Sequence, residues 1–356
     1  MALARSLPHP EVPAGLPEAI ARGLDYLHQH QYPNGEFCSY FAPDAAMQQW
    51  CVPDSCIFPT ALIAGSLLFL AEYAQAEEML TRTTGFLQYQ MSRGGLWHHF
   101  TGLHPLRAAL PLDMDDTACV SALLRARGVA CPTPTNVPLL LANRNRQGLF
   151  YTWFVARGWN ANRTHWRITL PRLAHPLRNL GLWRSVEATP GDVDPVVNAN
   201  ALYYLGDLPA TQPVIAWLLR LVAEHREAGC DKWYPDPHVV YYFFSRNYFR
   251  GITQLEPARQ PVIDRIMAAA GPDGRLGDTV LDTALAVCSL LNWGARPPEL
   301  LPAVQFLLRA QQPHGEWPRW LVYYGGAKKL VGWGSEEMTT AFCLEALARY
   351  EATTSV

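Results

Sequence analysis

Apolar residues recur along this chain at helical spacing in twelve stretches that alternate between two kinds. Six are amphipathic, with one apolar stripe and one polar face: residues 16–31, 76–91, 136–143, 210–226, 260–270 and 298–311. Each is followed by a loop and then by a stretch that is apolar nearly all round: residues 58–70, 115–126, 195–205, 238–248, 279–291 and 337–350. A one-striped helix buries one side, whereas a helix apolar on every side must be surrounded. The alternation therefore predicts six hairpins, each an outer helix followed by an inner one. The predicted fold is all-α, a single α/α6 double barrel around a central cavity, with residues 1–356 as one domain.

Two marks repeat with the helices. The inner stretches carry a small polar residue followed by alanine about one turn from their start: Thr60-Ala61, Thr117-Ala118, Asn200-Ala201, Thr283-Ala284 and Thr340-Ala341. The fourth hairpin, with Val239-Val240-Tyr241-Tyr242, lacks this mark. Ahead of the inner stretches stand Gln31-x-x-x-Gly35-Glu36-Phe37 and Gln311-x-x-x-Gly315-Glu316-Trp317, with weaker copies at Gly95-Leu96-Trp97, Gly148-Leu149-Phe150 and Gly274-Arg275-Leu276. Glycine can end the outer helix in a left-handed cap, and glutamine can bond an open helix end. Gln31, Gln311 and Trp317 are accordingly expected to be structural.

The chemistry concentrates in Asp113-Met114-Asp115-Asp116-Thr117-Ala118. Three carboxyls in one helical turn cannot all ionise, and partial burial further disfavours charge, so at least one is expected to stay protonated near neutral pH. Such a group can donate its proton to a weak base such as an alkene or an epoxide.

The Asp-x-Asp-Asp-Thr-Ala run resembles the acid motif of class II terpene cyclases of the squalene-hopene cyclase group, and the Gln-to-aromatic repeat resembles theirs too. Those enzymes carry two such barrels; with residues for only one, this chain looks like the single-domain members that fold prenylated aromatic substrates. The resemblance implies Asp115 as the proton donor, started against a linear isoprenoid that is cyclised to a fused polycyclic product. Asp113 and Asp116 would hold its geometry and raise its pKa. Larger members bond the acid with a histidine; here Asn198 or Asn200 is expected to take that place. Aligning the inner stretches on their polar-Ala marks sets Asp115 level with Phe58, Asn198, Leu281 and Met338, a predicted upper wall of the cavity. Ring faces can stabilise a migrating cation, and Trp97, Trp153, Tyr241 and Trp333 are the aromatic candidates for substrate contact. His98, His99 and His104 are read as a polar loop at the cavity mouth rather than as metal ligands.

Composition narrows the partners. Of 356 residues 49% are hydrophobic and 17% charged, and the formal net charge is -2 without any basic block, which argues against nucleic acid. Residues 1–15 show no leader, and no run approaches a membrane span, so a cytoplasmic location with at most weak peripheral membrane contact is expected. The eight cysteines (Cys38, Cys51, Cys56, Cys119, Cys131, Cys230, Cys288, Cys343) show neither CxxC pairs nor zinc-finger spacing and read as reduced thiols. No cofactor and no metal site is expected; Mg2+ would matter only for a substrate bearing a diphosphate, for which Asp192-x-Asp194 and the loose cluster of Arg144, Arg146, Arg157 and Arg163 are the candidates. Three other readings share this architecture: a zinc-dependent prenyltransferase subunit, for which no Asp, Cys and His trio is evident; a carbohydrate-active barrel with paired carboxylates, whose site would be open and rich in charged groups; and a lipid- or partner-binding toroid without catalysis.

Overall fold

The computed structural model describes residues 12–130, 133–171, 181, 183 and 188–354. The expectations placed on residues 1–11 and on Cys131 lie outside the described residues.

Among the described residues, six outer helices alternate with six inner ones. The outer helices are α1 (Leu16–His30), α3 (Ala74–Tyr89), α5 (Thr133–Ala142), α8 (Gln212–Ala223), α10 (Glu256–Ala268) and α12 (Leu300–Ala310). The inner ones are α2 (Ile57–Leu67), α4 (Met114–Ala126), α7 (Pro195–Leu205), α9 (Pro237–Phe249), α11 (Val280–Asn292) and α13 (Glu336–Thr354). A short α6 (Arg163–Thr169) lies in the third hairpin. Each inner helix packs on the next, α2 on α4, then α7, α9, α11 and α13, and α13 returns to α2, so the ring closes. Burial follows the predicted contrast. In α1 the buried set Leu16, Ala19, Ile20, Gly23, Leu24 and Leu27 is one stripe, whereas α2 buries every residue but Gly65.

The repeated marks are the joints of this ring. In five hairpins a backbone N–H just after the glycine turn donates to the polar residue one turn into the inner helix: Phe37 to Thr60 (3.0 Å), Trp97 to Thr117 (3.0 Å), Phe150 to Asn198 (2.8 Å), Leu276 to Thr283 (3.2 Å) and Trp317 to Thr340 (3.0 Å). The glutamine reaches sideways to the next outer helix. Gln31 donates to Met79 O and Thr83 Oγ1 of α3, and Gln311 to Ala19 O of α1, which joins the sixth hairpin to the first. Gly35 and Gly315 adopt φ 92° and 100°, and a Cβ on either would lie 2.3 or 2.2 Å from a backbone oxygen of that neighbouring helix. No larger residue fits such a turn.

The sequence pattern did not show the short strands that line one end of the barrel. β1 (Tyr40–Ala42), β2 (Val52–Pro53), β5 (Leu321–Tyr324) and β6 (Gly332–Gly334) form an antiparallel sheet in the order β2-β1-β6-β5. A second pair, β3 (Leu112–Asp113) and β4 (Trp153–Phe154), sets Asp113 opposite Trp153. Strands this short carry too few alternating positions to register as a period. No helix among the described residues is long and apolar enough to cross a membrane.

Candidate active site

A cavity of about 520 Å³ opens at the end of the barrel where the inner helices begin. Its wall includes Phe58, Asp113, Asp115, Asp116, Trp153 and Trp333 from the sequence-predicted set, together with Asp54, His99, Trp233, Tyr234 and Tyr323.

Asp113 is the N-cap of α4. Its extended backbone ends β3, and its carboxylate accepts the amides of Asp115 (2.6 Å) and Asp116 (3.3 Å), satisfying open donors of the first turn. That cap turns the Asp115 side chain inward. Asp115 is 6% exposed. Asn200 Nδ2 donates to its Oδ1 and Tyr234 Oη donates to its Oδ2. Arg246 in turn donates to Asn200 Oδ1, which fixes the amide so that its N–H side faces the acid. Burial pushes the Asp115 carboxyl up to about 6, against the pull of the Tyr234 and Asn200 hydrogen bonds and the Arg246 charge. Burial, and then neighbouring carboxylates, hold Asp113 and Asp116 well above the ordinary range. The cluster is thus a set of buried carboxyls of which Asp115 alone has a side-chain donor on each of its two oxygens, each oxygen keeping a lone pair for a transferable proton.

Asn200 is therefore the asparagine at the acid. Asn198 is not: its amide bridges Phe150 N (2.8 Å), Phe150 O (3.0 Å) and Asp194 O (2.9 Å). The repeat explains the correction. Asn198 is the third hairpin's counterpart of Thr117, so the register mark there is Asn198-Ala199, two residues earlier than Asn200-Ala201. The level ring drawn from the marks breaks accordingly. Phe58 and Asp115 face the cavity, while Asn198, Leu281 and Met338 are buried away from it. The cavity is eccentric. Ring contacts from Phe58 to Tyr323 (5.4 Å) and from Tyr323 to Tyr234 (6.1 Å) run along its wall, and Tyr234 also packs on Phe243 (5.4 Å), which does not line it.

Trp97 and Tyr241 also lie off the cavity. Trp97 is fully buried, and its Nε1 donates to Leu87 O (2.8 Å) at the open end of α3, as Trp317 Nε1 donates to Leu307 O (2.7 Å) at the end of α12. Trp97 is the second hairpin's hairpin-locking aromatic, a role its place after Gly95 already indicated. Tyr241 packs on the His238 ring at 6.0 Å.

Several functional groups escaped the sequence reading because loops bring them in. Asp231 accepts the amides of Val196 (2.9 Å), Trp233 (2.9 Å) and Tyr234 (3.2 Å), and that turn aims Trp233 and Tyr234 into the cavity. Asp192 and Asp194 serve as anchors: Asp194 accepts from Thr152 (2.6 Å) and Trp233 Nε1 (2.9 Å), and Asp192 pairs with Lys232 (2.6 Å). Asp54 accepts from Trp333 Nε1 (2.7 Å) and lies 2.8 Å from His104 Nε2. His99 is no mouth residue. It is buried in the wall, 3.6 Å from Asp116, with its ring edge-on to Tyr323 and Trp333, and burial lowers its pKa. Of the arginines considered for phosphate, Arg144 bonds Leu141 O and Ala210 O, and Arg157 stacks on Tyr151. Among the described residues no lysine or arginine lines the cavity.

Three of the described clusters' side chains also converge outside the cavity: Asp236, His238 and Asp282, each with one donor atom within 4.8 Å of the others. Spacing along the chain does not reveal this trio, since Asp282 comes from the next hairpin.

No protein-family model and no curated protein matches the chain. Solved structures do match. The fold is that of the type II terpene cyclases, an α/α toroid. A protein from Actinoplanes aligns at TM-score 0.69 and 20% identity over 96% of this chain and 100% of its own. The type II terpene cyclase MstE from Scytonema aligns at TM-score 0.69 and 17% identity over 96% of this chain and 100% of its own. A possible member of the GH105 family from Salmonella enterica aligns less well, at TM-score 0.53 and 12% identity over 98% of this chain and 97% of its own.

Proposed function

We propose that this protein is a protonation-initiated cyclase that folds a linear isoprenoid, a prenylated aromatic in the first instance, and closes it to a fused polycyclic product. One observation carries the reading: a buried carboxyl, Asp115, faces an aromatic-walled cavity with both oxygens engaged by oriented donors. Asp115 delivers its proton to a terminal alkene or epoxide. Asn200 and Tyr234 then stabilise the carboxylate left behind, and they do so without reorganising. The rings of Phe58, Trp153, Trp233, Tyr323 and Trp333 offer their faces to the migrating positive charge and keep water out. A structure of an MstE variant holds geranylgeranyl dihydroxybenzoate, and on a shared toroid this supports a substrate of that general kind. A diphosphate head group fits less well, because four carboxyls and no described cation line the cavity. The rim carries exposed apolar groups, Leu103, Leu106 and Leu330, suited to weak contact with a membrane that holds a greasy substrate.

The test is product analysis by chromatography and mass spectrometry. Wild-type protein and Asp115→Ala are incubated with prenylated phenols, prenylated dihydroxybenzoates and linear prenyl diphosphates, with and without Mg2+. An isomer of unchanged mass formed only by the wild type is the expected result. Loss of diphosphate would instead indicate ionisation chemistry, and binding without any product would favour the lipid-binding toroid.

A further inference from the structure

We propose that Asp236, His238 and Asp282 form a binding site for one divalent cation, Zn2+ by donor chemistry, at the barrel rim and apart from the cavity. None of the three lines that cavity. Asp236 is the N-cap of α9, and His238 stands in the first turn of the same helix. Asp282 stands in the first turn of α11, inside a capping box with Thr279. Two adjacent inner helices therefore present an imidazole and two carboxylates to one point, with one donor atom of each within 4.8 Å of the others. Zinc bonds to such ligands are about 2.0–2.2 Å long, so tetrahedral ligand edges are about 3.4 Å. Small side-chain rotations close that gap.

The second observation is the imidazole itself. His238 is 7% exposed, and its Nε2 is buried without a hydrogen-bond partner. Its Nδ1 lies 3.4 Å from Asp236 Oδ1. The ring edge between the two nitrogens and the Asp282 carboxylate border the same space: a Cβ on Gly277 would sit 2.8 Å from His238 Cε1 and 3.2 Å from Asp282 Oδ2. Gly277 has φ 98° and leaves that space open.

The carboxylates are oriented yet unspent. Asp282 Oδ2 accepts the amides of Asp278 (3.0 Å) and Thr279 (2.9 Å), and Asp236 Oδ1 accepts the amide of His238 (2.7 Å), so these amides engage one oxygen of each carboxylate. Among the described residues no lysine or arginine pairs with either. Two carboxylates brought together beside a buried imidazole favour a proton or a cation between them. Three N/O ligands held by backbone amides, with a fourth position left for water, match a zinc site. The ion would tie α9 to α11 just after Tyr234, the residue whose hydroxyl holds Asp115.

Chelator-treated full-length protein titrated with Zn2+ by calorimetry tests this, with Co2+ absorption as the readout of donor type. One saturable site per chain is expected, with a Co2+ spectrum free of thiolate charge transfer. Affinity should fall about 10- to 100-fold in Asp282→Asn and in His238→Gln. Asp236→Asn, at a partly exposed position, provides a variant less exposed to misfolding, and circular dichroism checks each fold. A thiolate band, equal affinity in all three folded variants, or no saturable binding in the wild type would each overturn the site. The readout is binding, so it stands whether or not the protein proves to be a cyclase.

Discussion

Asp115 and Glu345 are equally hidden carboxyls at opposite ends of the same barrel, 6% and 1% exposed. Their partners differ. Glu345 in α13 is paired with Arg349 (2.9 Å) and accepts from Ser66 Oγ (2.8 Å) and Tyr242 Oη (2.9 Å). Arg349 is itself bonded to Asn292 (2.8 Å) and lies over Phe69 and Phe249. Asp115 has neutral donors only, and its cation, Arg246, stands one residue removed behind Asn200. A guanidinium in direct contact makes a buried carboxylate a structural anion. A guanidinium one amide away pulls less strongly against burial, so the carboxyl stays raised, to about 6.

The sharpest break of this comparison is at the two carboxyls. Asp115→Ala should remove at least about 10²- to 10⁴-fold of the cyclisation rate, the span general acids usually supply, with the fold retained by circular dichroism. Glu345→Gln should leave the rate of the folded enzyme near that of the wild type. Comparable loss of rate in both would erase the distinction.

At the other end the effect should be on stability. Arg349→Met strands Glu345 as a buried, unpaired charge, which costs about 3–5 kcal/mol. Urea unfolding should show it, with turnover per folded molecule unchanged. A loss below about 1 kcal/mol would mean that the far end is not held by its ion pair.

The two ends differ equally in what the sequence disclosed. The double barrel, its six hairpins and the buried carboxyl cluster were legible because helical period and a three-carboxyl turn are local signals. Asn200 and Asn198 were not separable, since both are buried polar residues followed by alanine, and only the hydrogen bond from Phe150 N shows which one is the joint. Trp97 carried its answer in the glycine before it, yet was assigned to the cavity. Tyr234, Asp54, His99 and Arg246 became visible only once loops and neighbouring helices were placed, because each acts across hairpins, where spacing along the chain says nothing. The short strands that carry Tyr323 and Trp333 into the wall were invisible because they hold too few alternating positions to show a period.

Arg246 sharpens the comparison through pH. A proton donor with a pKa of about 6 is loaded below that value, so activity should fall as pH rises through 6. Arg246 lowers that pKa, so Arg246→Met should move the alkaline limb of the rate profile upward, even if the maximal rate drops. Stability follows with a definite sign. The folded pKa of Asp115 stands above its ordinary 3.8, so its contribution is intact below 3.8 and is lost as pH rises through about 6. The difference corresponds to about 3 kcal/mol at most. Denaturation midpoints should therefore fall between pH 4 and 7, and less so in Asp115→Ala. A pH limb that does not move in Arg246→Met would reduce Arg246 to packing against Tyr203 and Phe243.

The smallest effect divides the tryptophans. Trp97 and Trp153 are both almost fully buried, yet Trp97 spends its indole N–H on the α3 carbonyl of Leu87, while Trp153 lines the cavity and reaches Asp192 at only 3.4 Å. Trp97→Phe should leave that carbonyl unpaired and cost about 1–3 kcal/mol of stability, with product distribution unchanged. Trp153→Phe should cost less stability, because its polar contact is long, and should alter KM or the ratio of products, because the replaced ring surface belongs to the wall that shapes the folded substrate. The contrast rests on one repeat position: Trp97 follows Gly95 as Trp317 follows Gly315, and both indoles lock a hairpin. A changed product ratio in Trp97→Phe would mean that a joint of the barrel also shapes its cavity, and that the line between scaffold and site runs elsewhere than the hydrogen bonds place it.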